Sequence, residues 1–172
     1  QKISLTYAGL NEKATYLAKG LLRIGLLPGD RIGIWSPNNV EWILTMYAAA
    51  KIGAILVNIN PAYKPAELSY ALNKVGCKAL VMAKQFKTSL YTSMLHTLAP
   101  EVATSEPGNL QAAPLPELKS LVLIGEQHQP GYLLFNDLML QKDFERRETS
   151  MDISDGELAF QNYLIIIDDL KA

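Results

Sequence analysis

The sequence has few cysteines, few histidines and almost no net charge, and each scarcity excludes a class of function. A single cysteine cannot form a disulfide framework within the chain, which is typical of a reduced compartment. The formal net charge of −1 provides no basic field for nucleic acid or an anionic membrane surface. No stretch reaches the roughly 18 apolar residues that a membrane span needs. Because the chain begins at Gln1 rather than Met, we expect that upstream residues were removed or lie outside this sequence. Any targeting segment would lie there, so its absence indicates nothing about the compartment.

Sequence motifs that carry catalysis are also missing. The chain contains no GxGxxG and no GxxxxGK[ST] phosphate-binding turn, and no GxSxG turn for a serine nucleophile. His96 and His128 have no cysteine or histidine partner at metal-ligand spacing, so we predict a surface or boundary position for the first and a loop position for the second. We therefore predict no catalytic, cofactor-binding or metal-binding residue.

The remaining reactive side chains have structural interpretations. Cys77 has no histidine near it in sequence to act as a base, and it is predicted to be a small buried thiol. Glu41 and Glu67 fall in the first turns of predicted helices, where the helix dipole favours a negative charge. Asp30 is interpreted as an isolated carboxylate.

Helical and strand patterns alternate at short intervals through most of the chain. Apolar side chains recur with helical spacing after Thr6, a typical N-cap, and Gly25 fits the left-handed residue beyond a helix end. Further helices are predicted from Val40 to Gly53, from Pro65 to Val75 and from Phe86 to Leu98. Strands alternating with helices predict an α/β fold, a parallel sheet of βαβ units with helices on its faces. The predicted strands are 31–35, 54–59, 79–83 and 121–125.

The second half of the chain is less regular. The stretch from Pro100 to Pro116 is rich in proline and is predicted to be a surface loop. A short helix is predicted over Leu133 to Leu140, and a solvated helix or linker over Lys142 to Asp155. The run Leu164 to Asp169 has the form of a magnesium-binding strand end, but without a phosphate loop we interpret it as an apolar terminal strand or an ill-packed tail.

Ordered motifs between Leu5 and Thr88 carry a family resemblance. Leu5-Thr6-Tyr7, Pro28-Gly29-Asp30-Arg31 and Trp35-Ser36-Pro37-Asn38 with Glu41-Trp42 resemble successive motifs of fatty-acid acyl-CoA synthetases, which are adenylate-forming (AMP-binding) enzymes. Gly53-Ala54-Ile55 with Asn60-Pro61 and Tyr63 continues the series. Gly9 departs from the family, which has an acidic residue there. Val75-Gly76-Cys77-Lys78 and the stretch from Lys84 to Thr88 are similar to the mitochondrial medium-chain "family member 2" type.

The resemblance implies the N-terminal domain of a ligase that joins a fatty acid to coenzyme A. Such enzymes form an acyl-adenylate from ATP with Mg²⁺, release pyrophosphate and pass the acyl group to coenzyme A. A medium-chain fatty acid and a mitochondrial location are also implied by resemblance alone. The family's Ser/Thr/Gly-rich phosphate loop is expected soon after residue 155, but this chain has no such run there. We therefore predict a partial AMP-binding-type domain over 1–155, lacking the phosphate loop, and a divergent apolar and acidic tail over 156–172.

Three functional hypotheses remain open at this stage. The first is a fragment of a fatty acid–CoA ligase that is inactive alone and holds none of the family's cofactors by itself. The second is a non-catalytic binding or interaction module that pairs with a full-length ligase or with itself. The third is an unrelated α/β ligand-binding domain. A sheet of the four predicted strands with one open face would support the first hypothesis.

Overall fold

One parallel sheet organises the chain. The computed structural model describes residues 4–140 and the strand Ile165–Ile166. The strands of the sheet are β1 (Arg31–Trp35), β2 (Ile55–Asn58), β3 (Cys77–Ala83), β6 (Ser120–Ile124), β7 (Leu133–Leu134) and β8 (Ile165–Ile166). A separate antiparallel pair is formed by β4 (Gln85–Phe86) and β5 (Ser89–Leu90). The sheet order is β7-β6-β3-β1-β2-β8, and every neighbouring pair in it is parallel.

The helices begin and end where the sequence supplies caps. The Thr6 hydroxyl accepts a hydrogen bond from Gly9 N at 3.1 Å, and the Asn39 side chain accepts one from Trp42 N at 2.8 Å. Glu67 Oε2 accepts a hydrogen bond from Lys64 N at 2.7 Å, which confirms a first-turn role for this carboxylate. The helices are α1 (Tyr7–Arg23), α2 (Val40–Lys51), α3 (Pro65–Val75), α4 (Tyr91–Leu98) and α5 (Phe135–Leu138), with a 3₁₀ helix at Pro100–Ala103.

Helices cover both faces of the sheet. Side chains of α1, α2 and α5 pack with one set of strand residues, which includes Ile32 and Val81. Side chains of α3, α4 and the 3₁₀ helix pack with the alternating set, which includes Leu80 and Met82. The predicted α/β fold, a parallel sheet with helices on its faces, is confirmed. Neither face of the sheet is open among the described residues, so the open face that would have supported the first hypothesis is not seen there. Each strand has two apolar faces because successive side chains point to opposite sides.

The four predicted strands all form, and two predicted helices differ from the structure. The helix predicted from Phe86 begins only at Tyr91, because a tight turn with a positive φ of 51° at Lys87 folds the preceding residues into β4 and β5. The helix predicted over Leu133 to Leu140 is a single turn, because its first two residues pair with β6. The prediction for Lys142 to Asp155 lies outside the described residues.

Polar contacts tie together the amino ends of the central strands. The Asp30 carboxylate is buried, accepts a hydrogen bond from Leu27 N at 2.9 Å and lies 2.7 Å from Lys78 Nζ. Arg31 Nε and Nη2 donate to the carbonyl oxygens of Val75 and Gly76 at 2.6 and 2.8 Å. The interpretation of Asp30 as isolated is therefore wrong, because the sheet brings Lys78 of β3 beside the start of β1.

Candidate functional site

The strand order places a reversal in the chain between β1 and β3. From β1 the chain crosses to β2 through α2 on one face, and it then returns past β1 to β3 through α3 on the other face. In doubly wound sheets a crevice opens at such a reversal, outside the carboxyl ends of the strands, and ligands bind there. The loops that follow Trp35 and Ala83 therefore mark the candidate site.

A groove of about 550 Å³ opens at this carboxyl edge, on the side of α1 and α2. Its apolar part comes from the start of α1, the first turns of α2 and the end of β6. Glu41 is the single charged residue among those that line it, and this carboxylate lies in the first turn of α2 as predicted. The lining residues are Leu5, Leu10, Asn38, Asn39, Val40, Glu41, Ile43 and Ile124.

Hydrogen bonds hold the polar rim of the groove in place. Asn39 uses both ends of its amide, because Oδ1 caps α2 and Nδ2 donates to Ser36 Oγ at 2.8 Å. Ser36 Oγ in turn donates to the carbonyl oxygen of Pro37 at 3.1 Å. The Ser-Pro-Asn-Asn turn thus fixes the start of α2 rather than presenting a phosphate-binding loop.

An aromatic pair anchors the loop that follows β2. The rings of Trp35 and Tyr91 are stacked, with centroids 3.6 Å apart and an interplanar angle of 8°. Trp35 Nε1 donates to the carbonyl oxygen of Asn60 at 3.2 Å, and the Tyr91 hydroxyl donates to that of Pro61 at 2.6 Å. Burial raises the pKa of Tyr91 to about 12, so this hydroxyl remains a donor at neutral pH. This pair could not be predicted from the sequence, because its members lie on different elements.

Cys77 and His128 lie where the sequence predicts them. Cys77 is buried, and burial raises the pKa of its thiol to about 12, against a smaller opposing effect of the Arg31 charge. A thiol in this state is a poor nucleophile. His128 lies in an exposed loop, 3.4 Å from an oxygen of Asp137. Within residues 4–140, no cluster of three or more His, Cys, Asp or Glu side chains could hold a metal ion.

Three buried polar atoms were not anticipated. Asn58 Oδ1, His96 Nε2 and the Tyr132 hydroxyl are buried without a hydrogen-bond partner among the described residues. His96 itself has the predicted boundary position, and its ring is stacked on that of Tyr132 with centroids 6.0 Å apart. Asn58 interrupts an otherwise apolar strand, and that interruption was the one sequence signal for any of the three.

The lining of the groove is mostly apolar and contains no cationic side chain. Stabilising a triphosphate needs cations or converging N–H groups, and none of the groove's lining residues is Lys, Arg or His. Leu5, Tyr7 and Ile43 also expose large parts of their side chains at or beside the groove. None of the described helices is long and apolar enough to cross a membrane.

Comparisons with known proteins agree with this architecture. A family model described as AMP-binding enzyme matches residues 1–146. The chain is similar to the mitochondrial medium-chain acyl-CoA ligase ACSF2 of Bos taurus, at 45% identity over 151 residues, which cover 88% of this chain and 24% of the relative. The human ACSF2 is 45% identical over 139 residues, covering 81% of this chain and 22% of the relative. The chain thus spans about a quarter of the length of these curated relatives.

Solved structures show the same fold. The anthranilate CoA ligase AuaEII, in complex with anthranoyl-AMP, superposes with a TM-score of 0.65 at 26% identity, over 78% of this chain and 23% of that one. A putative long-chain fatty acid CoA ligase from Rhodopseudomonas palustris gives a TM-score of 0.63 at 29% identity, over 79% of this chain and 30% of that one. The hypothesis of an unrelated ligand-binding domain is therefore wrong, and the chain belongs to the AMP-binding enzyme family.

Proposed function

We propose that this chain is the N-terminal scaffold part of a medium-chain fatty acid–CoA ligase and that the 172-residue polypeptide makes no acyl-adenylate by itself. The observation that carries the proposal is the composition of the groove at the carboxyl edge. The groove has apolar walls and one carboxylate, whereas adenylation needs positive charge and bound Mg²⁺ around a triphosphate. In this proposal the described residues form two hydrophobic cores and supply no group for adenylation.

ATP, Mg²⁺ and coenzyme A belong, in this proposal, to the full-length enzymes of the family. The residues present do not fit them, because the groove has no cationic lining residue and residues 4–140 contain no candidate metal cluster. No catalytic or cofactor-binding residue is therefore assigned to this chain. The division into a partial domain at 1–155 and a divergent tail at 156–172 and the mitochondrial location belong to the same proposal.

The names of the relatives support a medium-chain fatty acid as the substrate in this proposal. The ACSF2 proteins are named medium-chain acyl-CoA ligases, and three of them are 45–46% identical to this chain over 139 to 151 residues. We extend their substrate to the protein of which this scaffold would be part. Adenylation itself would use groups supplied from outside the described residues.

A pyrophosphate-release assay tests the proposal. The purified chain is mixed with octanoate, ATP and Mg²⁺, and pyrophosphate is measured with and without coenzyme A. We expect no release above a no-protein control, while the far-ultraviolet circular dichroism of the same sample shows a folded α/β protein. Octanoate-dependent release at a rate proportional to the chain's concentration would contradict the proposal.

The exposed apolar side chains favour a second candidate, an interaction module. Tyr7 is 92% exposed and Ile43 is 40% exposed, and both belong to elements that border the groove. Self-association or pairing with a full-length ligase would cover such side chains. Sedimentation equilibrium of the chain, alone and mixed with a full-length medium-chain ligase, distinguishes this candidate. A strictly monomeric chain that does not co-sediment with the ligase would exclude it.

A further inference from the structure

The groove at the carboxyl edge has the composition of a site for a large side chain with a polar tip. Of its eight lining residues, five are aliphatic, two are asparagines and one is a glutamate. Two of the aliphatic members, Leu5 and Ile43, are 37% and 40% exposed, so water covers apolar surface that a partner would bury.

Glu41 provides the groove with a hydrogen-bond acceptor. Its carboxylate lies in the first turn of α2 and takes part in neither of the two ion pairs found among residues 4–140. An ionised carboxylate accepts hydrogen bonds and donates none. The groove therefore suits an apolar side chain that ends in a hydroxyl or N–H donor, and the rings of tyrosine and tryptophan have this form.

The same chain exposes a tyrosine at the rim of the groove. Tyr7 is the first residue of α1 and is 92% exposed, the largest fraction for any large hydrophobic side chain among the described residues. It lies between Leu5 and Leu10 in the sequence, and both of these line the groove, but Tyr7 is not a lining residue itself. Its ring thus stands beside the groove without filling it. Buried tyrosines are among the residues that contribute most to the stability of protein interfaces.

We propose that the chain forms a two-fold symmetric dimer in which Tyr7 of each copy inserts into the groove of the other. A two-fold interface uses the same patch on both copies, so a tyrosine beside a groove supplies both sides of the contact. The ring packs on the aliphatic walls, and its hydroxyl donates to Glu41 of the partner subunit. The inference rests on the second candidate function, the interaction module, and is independent of the proposed absence of adenylation.

Buried area and charge set the expected strength of this dimer. A tyrosine buries about 150–250 Å² and covers a similar area of its groove, so two such contacts bury roughly 600–1,000 Å². Interfaces below about 1,200 Å² are typical of weak, transient complexes. The formal net charge of −1 adds little repulsion between the copies. We therefore expect a dissociation constant in the micromolar to millimolar range rather than a permanent dimer.

Sedimentation velocity of the full chain over a range of concentrations tests for the dimer. We expect a reversible monomer–dimer equilibrium that Tyr7→Ala weakens by at least about tenfold. Tyr7→Phe keeps the ring and loses the donor, so it should weaken the dimer less than Tyr7→Ala does. The matched control is Tyr70→Ala, which removes another exposed tyrosine from α3 and should leave the dissociation constant unchanged.

A mixture of two variants tests the tyrosine and the groove separately. Ile43→Lys places a charged side chain in the groove and keeps Tyr7, whereas Tyr7→Ala keeps the groove and removes the ring. Each variant alone loses both contacts of the dimer, but a mixed dimer retains one of them. With a fluorescent label on one variant, we expect the mixed dimer to be at least about threefold tighter than either variant's own dimer. Circular dichroism of each variant shows that the fold persists.

Three results would overturn the proposal. The first is a parent chain that stays monomeric up to millimolar concentration. The second is a dimer that Tyr7→Ala leaves unchanged, or a mixture of the two variants that associates no more tightly than each does alone. The third is binding to a full-length medium-chain ligase without self-association, which would retain the interaction module and replace the second copy as the occupant of the groove.

Discussion

The two faces of the sheet are covered by different kinds of side chain. On the α1–α2 face the buried cluster is built mainly from alanine, leucine, isoleucine and valine, and Gly20 packs so closely that an added Cβ would overlap the Leu138 carbonyl. On the α3–α4 face the buried cluster contains Trp35, Tyr91 and Tyr132 together with Cys77. One face thus buries almost no polar atoms in its side chains, and the other buries several.

This difference has an energetic consequence. On the α1–α2 face stability is distributed over many similar aliphatic contacts, each of which depends on apolar area removed from water. On the α3–α4 face a few large rings combine apolar burial with hydrogen bonds, as the Trp35–Tyr91 pair does with the loop after β2. The losses in the free energy of unfolding caused by substitutions on the α3–α4 face should therefore differ more from one another than those on the α1–α2 face. The stability contributed by the α3–α4 face should also depend on pH.

The largest expected effect comes from truncating Trp35 on the α3–α4 face. Trp35→Ala removes a fully buried side chain, the ring that stacks on Tyr91 and the donor to the Asn60 carbonyl oxygen. We expect a loss of about 4 kcal/mol in the free energy of unfolding. The matched substitution on the other face, Leu17→Ala, should cost about 3 kcal/mol. Urea unfolding of both variants measures the difference. A smaller loss for Trp35→Ala than for Leu17→Ala would refute the contrast between the faces.

The next largest expected effect is a loss of stability at alkaline pH. Burial raises the pKa of Tyr91, Tyr132 and Cys77 to about 12, from ordinary values of 10.0 for the tyrosines and 9.0 for the thiol. A raised folded-state pKa stabilises the chain fully below the unfolded pKa, and this contribution is lost as the pH rises from about 9 to about 12. We expect unfolding at lower urea concentration at pH 10 than at pH 8.

The location of the alkaline effect distinguishes the two faces. All three groups belong to the α3–α4 cluster, so Cys77→Ala should reduce the loss between pH 8 and pH 10. Hydrogen exchange should show α4 losing protection before α1 does. A loss that is unchanged in Cys77→Ala and equal in both helices would count against this assignment.

The smallest expected effect compares two tyrosine hydroxyls on the same face. The Tyr91 hydroxyl donates to the Pro61 carbonyl at 2.6 Å, so Tyr91→Phe should cost about 1 kcal/mol. The Tyr132 hydroxyl has no partner among residues 4–140, so Tyr132→Phe should be neutral or slightly stabilising. Thermal unfolding of the two variants measures the difference. A larger loss for Tyr132→Phe would show that its hydroxyl has a partner that stabilises the fold.

Local sequence signals were sufficient for much of the fold. The strands at 31–35 and 121–125 and the cap at Thr6 follow from hydrophobic runs and capping chemistry within a few residues. The helix predicted from Phe86 was wrong because Phe86, Leu90 and Met94 happen to be spaced as on a helix face. A left-handed turn at Lys87 decides the local structure instead.

The tertiary contacts and the site depend on residues that lie far apart in the sequence. Asp30 and Lys78 lie 48 positions apart, and Trp35 and Tyr91 lie 56 apart, so only the strand order brings each pair together. The groove likewise joins Leu10 of α1, Val40 of α2 and Ile124 of β6. The family motifs in the sequence identified the scaffold, whereas the residues that line the groove could be identified only from the fold.

Equilibrium binding of ATP is the most direct test of the claim that this chain is a scaffold without nucleotide chemistry. Labelled ATP with Mg²⁺ is dialysed against the folded chain across the micromolar to millimolar range, with a full-length medium-chain acyl-CoA ligase as the positive control. We predict no saturable binding to the chain and stoichiometric binding to the ligase. Saturable binding of one ATP per chain, lost on unfolding, would contradict the account.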